Sequence, residues 1–328
     1  MRRSTRLATI ALLVAVLGAV AGCGGKSADQ AAKAPPGPVY HRGVALDVQP
    51  GRTATEGPLR TEEFTYSSVD GARVPALFAV PTAQKPLGCL IFVPGFGAAK
   101  DAVPALREGL AKLRLATFSI DARNLGARGS LDQAKAAVKA PEGVRSMLLG
   151  TVADLRVGLD WLDQRPECHH NIAVLGTSFG GTVATHLAAQ DHRIKAAILS
   201  AVGATYKQEI LMRPLSAQAV HDLPDYVTGA TTDPAVLAHA VDVLGPYDLE
   251  RWVGRISPRP VMIIDGRFDP IVAPGDALQL AAAAREPKTI LYFNGGHDPF
   301  APGPDAGRVN RRATQFLIDS LDLPTPSL

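Results

Sequence analysis

The sequence predicts an α/β fold: a mostly parallel sheet of eight strands, covered by helices on both faces and interrupted by a helical cap insertion. Three observations carry that expectation. From residue 87 to residue 321, apolar runs of strand length alternate with helix-length segments, the pattern that builds a parallel sheet through crossover helices. Two extended runs around Asp70-Gly71 add a hairpin, hence an antiparallel edge. The rhythm breaks only at 204–256, where Pro214, Pro224, Pro234 and Pro246 fall among short helical pieces.

The elements follow in order. The hairpin strands lie within Leu59–Val80. Leu87–Val93 is almost continuously apolar and stops at Pro94-Gly95-Phe96-Gly97, as a strand buried on both faces does. Val103–Leu113 has a helical period, Leu115–Ile120 reads as a strand, and 121–143 as a Gly/Ala-rich loop. Val144–Leu162 is a long amphipathic helix, stopped before Pro166. Asn171–Leu175, Ile194–Ser200, Val261–Ile264 and Thr289–Phe293 are the later strands, and Phe179–Ala189, Gly275–Ala284 and Val309–Leu321 the later helices.

At 46% hydrophobic and 20% charged, the 328 residues exclude wholesale disorder. They can bury a core with no disulfide or metal staple. Three cysteines exclude a disulfide-rich scaffold, and no Cys/His pair has zinc-finger spacing. Cys89 reads as a small buried hydrophobe, and spacing leaves open whether it pairs with Cys168. The formal charge of +3 depends on the first segment. Arg2, Arg3 and Arg6 precede the apolar run Leu7–Val20, which is too short to span a bilayer and reads as an export signal over 1–22. Val20-Ala21-Gly22-Cys23 resembles a bacterial lipobox, which implies a lipidated Cys23 and an anchor in the cell or outer membrane; an ordinary secreted or periplasmic protein is the alternative. Residues 23–38 then form a lipidated, Pro-rich tether, and 39–328 a domain outside the cytoplasm. Without residues 1–22 the basic and acidic counts are equal at 31. No basic cluster points to a nucleic-acid partner.

The chemistry centres on Gly176-Thr177-Ser178-Phe179-Gly180-Gly181, between a strand and a helix. A sharp turn there pushes a serine hydroxyl outward. A hydroxyl needs a base, and His297, in Asn294-Gly295-Gly296-His297 after the last strand, emerges at the same sheet edge. The orienting carboxylate comes from Asp265-Gly266-Arg267-Phe268-Asp269-Pro270. Asp269 is preferred because Gly266 permits a turn that carries it over the edge, and Asp265 competes. The amides of Phe179 and Phe96 are the expected oxyanion donors. Phe96, Tyr206, Leu211, Met212 and Tyr226 are the expected walls of a substrate pocket.

With those residues in view, the chain resembles the α/β-hydrolases, in particular their dienelactone-hydrolase-like, acetyl-xylan-esterase-like and prolyl-oligopeptidase-like branches, over about 60–320. The resemblance rests on Phe92–Gly97, Asp121-Ala122-Arg123-Asn124-Leu125-Gly126, the turn at Gly176–Gly181, Pro258–Val261 with Asp265–Pro270, and Gly295-Gly296-His297. It implies a serine hydrolase acting on a small-molecule ester, with no metal or other cofactor. Asn124 departs from the glycine frequent in those relatives, and a serine replaces the cysteine of true dienelactone hydrolases. A peptidase or amidase, or a lipase or polyester hydrolase, would use the same residues. A tethered binding module is the non-enzymatic alternative, and the oligomeric state is not readable.

Overall fold

The computed structural model describes residues 40–206 and 233–325. β1 (Gln49–Glu56), β2 (Leu59–Ser67) and β3 (Arg73–Pro81) form an antiparallel meander. β4 (Gly88–Val93), β5 (Leu115–Ile120), β6 (Ile172–Thr177), β7 (Ile194–Ser200), β8 (Val261–Gly266) and β9 (Lys288–Phe293) are parallel to one another. Among the described residues these nine make one sheet in the order β1-β2-β3-β5-β4-β6-β7-β8-β9, with β3 antiparallel to β5. The expected count of eight is corrected by β1. That strand covers the meander's outer edge, and seven of its eight residues are exposed. With no buried face it carries no apolar alternation, so periodicity could not reveal it.

Helices lie on both faces, as the alternation demands. On one face, α3 (Pro141–Leu162) and α4 (Phe179–Gln190) pack against Cys89, Ile91 and Val93 of β4. On the other, α1 (Pro104–Lys112) and α7 (Ala306–Ser320) pack against Leu90 and Phe92. Alternate residues of β4 thus enter two separate cores, which is why its sequence is apolar without interruption. The 121–143 segment, expected as loop, contains α2 (Leu131–Ala137), opened by a capping box between Ser130 and Gln133. Ser-x-x-Gln was the available signal. Of the expected insertion, the described part holds α5 (Pro234–Leu244), three 3-10 turns over 245–255, and the segment 204–206. α6 (Pro274–Ala283) follows β8.

Cys89, at the start of β4, forms a disulfide with Cys168 in the turn before β6. Both are fully buried, and 79 positions separate them. Cys89 is buried as its apolar context suggested, and the pairing that spacing left open is made.

The order places β4 between β5 and β6. The chain moves outward from β4 to β5, then returns across β4 to β6 and proceeds the other way. Loops leaving the carboxyl ends of β4 and β6 diverge there, opening the crevice in which such sheets bind ligands.

Candidate active site

Ser178 occupies the turn between β6 and α4 with φ 56° and ψ −125°, a conformation that costs a non-glycine residue free energy. Two glycines let the turn close. A Cβ on Gly176 would lie 2.1 Å from the Gly180 carbonyl oxygen, and one on Gly180 would lie 2.0 Å from that of Val93. Ser178 stands at the N-cap of α4, yet its side chain accepts no helix amide. Its Oγ lies 2.8 Å from His297 Nε2 instead. A hydroxyl that capped the helix would be turned the other way.

His297 lies in the loop after β9, and its Nδ1 is 2.8 Å from Asp269 Oδ2. The other Asp269 oxygen accepts the backbone N–H groups of Ile271 and Val272 at 2.7 and 2.9 Å. With its side chain fully buried, Asp269 is fixed at both oxygens. The two loops are joined by backbone: Arg267 N–H donates to Phe293, and Phe268 N–H to Gly295. The turn expected at Gly266 is present, the Asp269 N–H donating to the Gly266 carbonyl at 3.3 Å, and the glycine serves a second purpose. It is the last residue of β8, and a Cβ on it would lie 2.1 Å from the Gly296 carbonyl oxygen. Its lack of a side chain lets the histidine loop rest against the acid strand.

Asp265, the competing acid, faces elsewhere. Its Oδ1 accepts the Val202 N–H at 3.1 Å, and among the described residues its Oδ2 has no partner. Burial, then the nearby Asp269 and Asp276 charges, push its pKa up to about 7. Asp298 accepts the Phe300 N–H, and Asp276, in the first turn of α6, accepts the Thr205 N–H. The other described histidines stand apart. Buried His186 bonds the Tyr247 carbonyl, its pKa lowered to about 4 by burial, and His239 pairs with Glu142.

Phe179 is the first residue of α4, so its N–H has no intrahelical acceptor. Phe96 follows Gly95, where an added Cβ would lie 3.6 Å from Ser178 Cβ, so the loop after β4 passes directly beside the serine. The Phe96 and Phe179 rings meet edge-on at 6.4 Å. A device not anticipated from the sequence holds this loop. Buried Asp121 accepts the Lys100 N–H at 2.8 Å, the Lys100 Nζ at 3.2 Å and the Ala127 N–H at 3.0 Å, tying the loop after β4 to that after β5. Asn124 has φ 65°, so it takes the left-handed conformation for which glycine is usual and which asparagine tolerates. Arg123 and Arg128 both pair with fully buried Asp154 of α3.

Tyr206 packs with the hydrophobic residues of α5, and its N–H donates to Asp248 Oδ1 at 2.7 Å. Of the other expected pocket residues, Leu211, Met212 and Tyr226 lie outside the described residues, as do Cys23 and the segment 1–38. Among the described residues no group of three or more His, Cys, Asp or Glu is arranged to hold a metal ion.

Comparison with known proteins agrees with this geometry at the level of fold. The family model of the X-Pro dipeptidyl-peptidases (S15 family) matches residues 131–241. That stretch contains Ser178 but neither Asp269 nor His297. The "Uncharacterized protein YfhR" of Salmonella typhi is 24% identical over 73% of this chain and 75% of its own length. Acetyl xylan esterase 1 from Thermoanaerobacterium sp. superposes with a TM-score of 0.68 at 17% identity, over 84% of this chain and 88% of that one. The acetyl xylan esterase from Paenibacillus sp. R4 gives 0.68 at 18% identity, over 84% and 89%. A cold-adapted esterase from an Arctic intertidal metagenomic library gives 0.60 at 18% identity, over 83% and 98%.

Proposed function

We propose that this chain, an α/β hydrolase by fold, is a serine hydrolase that cleaves small carboxylic esters outside the cytoplasm, tied to a bacterial membrane through a lipidated Cys23. The observation that carries the catalytic part is the continuous line from Ser178 Oγ to His297 Nε2 and from His297 Nδ1 to Asp269, each step 2.8 Å. In this reading Ser178 attacks the ester carbonyl carbon while His297 takes its proton. Asp269 fixes the imidazole and stabilises the imidazolium. The Phe96 and Phe179 N–H groups receive the oxyanion. His297 then returns its proton to the leaving alkoxide, and takes one from the water that attacks the acyl-enzyme.

The esterase identity of the solved neighbours supports the ester over other acyl substrates. The match to the dipeptidyl-peptidase model favours a second reading, amide cleavage by the same residues. A panel of matched acetyl ester, thioester and anilide substrates separates them. We expect kcat/KM for the ester to exceed that for the anilide by at least about tenfold; equal or faster anilide turnover replaces ester with amide.

The cellular placement rests on the arginine-headed apolar segment, on Val20–Cys23 and on the disulfide, since disulfides persist in oxidising compartments. Wild-type protein should partition with membranes in cell fractionation and be released by Cys23→Ser. Unchanged partition in that variant would remove the anchor.

A further inference from the structure

At the amino-terminal edge of the parallel strands, a cavity of about 560 Å³ lies between the entry segment at Tyr40–Arg42 and the starts of β6 and β7. Ser178 follows the opposite end of β6, about 20 Å away at a strand rise of some 3.3 Å per residue. Arg42, Arg156, Arg193 and Lys195 line the cavity, against Asp163 and Asp191. This basic excess belongs to a chain whose charges balance once residues 1–22 are set aside.

The cations differ in what they already hold. Arg193 is fully engaged, donating to Asp191, Asp160 and Asp163. Arg156 is not. Its guanidinium lies 4.1 Å from the centroid of the Tyr40 ring, and only its Nε reaches a carboxylate, Asp191 Oδ2 at 3.4 Å. Among the described residues its two terminal nitrogens have no acceptor, and neither has the exposed Lys195 ammonium. Gln190 also lines the cavity, but its side-chain nitrogen, without an acceptor among the described residues, is closed off from solvent and so from a guest. Asp160 Oδ2 is also unpartnered among the described residues, but Asp160 does not line the cavity. The imbalance is therefore one of donors, and it calls for an acceptor-rich guest.

We infer that this cavity binds a phosphate group, held by Arg156 and Lys195. These donors come from two elements, α3 and β7. Donors on separate elements suit a tetrahedral phosphate, whose oxygens do not share one plane, better than a planar carboxylate. Tyr40 forms part of the wall. Residues 24–39 alone separate it from Cys23, a reach of at most about 60 Å. If Cys23 carries lipid, as proposed above, phospholipid headgroups lie within range, and a soluble phosphate compound is the other source of the same chemistry.

Full-length protein in detergent can be titrated, following its melting temperature, with inorganic phosphate and with dihexanoyl phosphatidylglycerol below its micelle-forming concentration, chloride serving as the ionic-strength control. A saturable rise is expected with at least one of them. A tighter response to the phosphatidylglycerol assigns the site to a headgroup; a response as tight or tighter to inorganic phosphate assigns it to a soluble compound. Arg156→Gln and Lys195→Glu should each weaken binding by about tenfold or more. Lys195 is exposed, so its variant reports even if Arg156→Gln does not fold. No saturable response to either probe, or an unchanged response in Lys195→Glu, overturns the inference. Ester hydrolysis, measured alongside, should persist in both variants, so failure here leaves the catalytic reading intact.

Discussion

Ser178→Ala should reduce kcat on p-nitrophenyl acetate by roughly 10⁴- to 10⁶-fold while leaving the melting temperature almost unchanged. The loss is large because the hydroxyl is the atom that forms the acyl-enzyme. The fold is spared because, among the described residues, the Ser178 side chain bonds His297 and caps no helix amide. The strained backbone at φ 56° is held by its surroundings: Ser178 N–H donates to the Ser200 carbonyl, and Gly176 and Gly180 leave room for the close approach. Labelling with a fluorophosphonate should vanish in the same variant. Activity retained within about tenfold of wild type would mean that another residue is the nucleophile.

Asp269→Asn should lower kcat by about 10⁴-fold, since an amide nitrogen facing Nδ1 favours the wrong imidazole tautomer. Asp265→Asn should leave kcat near wild type, because that side chain touches Val202 rather than His297. The reverse pattern would make Asp265 the orienting acid. Asp265→Asn should instead alter stability. The folded pKa of Asp265, about 7, lies above its ordinary 3.8, so between those values the folded state binds a proton that the unfolded state does not. Stability therefore falls as pH rises through that window, by up to the order of 4 kcal/mol. Asparagine mimics the protonated form, so the variant's melting temperature should exceed wild type at pH 8 and converge with it below pH 4. Asp248, raised to about 6 mainly by burial, adds a loss of the same sign that the variant retains.

Most of the central sheet was legible in sequence because its strands are buried on both faces and its helices are long. Leu87–Val93 and Asn171–Leu175 have no polar interruption except glycine, cysteine and the terminal Asn171, and they became β4 and β6. The edge strand β1 had no buried face to betray it. Ser178, Asp269 and His297 could be selected because each lies just beyond a strand's carboxyl end, where the topology brings distant segments together. In the sequence Asp121 is only one residue of the Asp121–Gly126 segment. Its work is done through bonds to Lys100 and Ala127, and such cross-loop bonds leave no periodicity in the chain. The Cys89–Cys168 link was hidden for a similar reason: it joins a strand to a turn, and a one-dimensional spacing contains no Cβ vectors.

That link divides the molecule in a way the sheet order does not. It closes a covalent ring from 89 to 168 that contains Phe96, Asp121 and α1 to α3, while Ser178, Asp269 and His297 all lie beyond it. Opening a ring of that length adds conformational freedom to the unfolded chain, worth on the order of 4 kcal/mol in the chain-entropy account. It leaves Ser178, His297 and Asp269 joined to one another by the same hydrogen bonds. A reductant should therefore act on this protein as a thermal stress rather than as an inhibitor, narrowing the temperature range over which it works without slowing it in the cold.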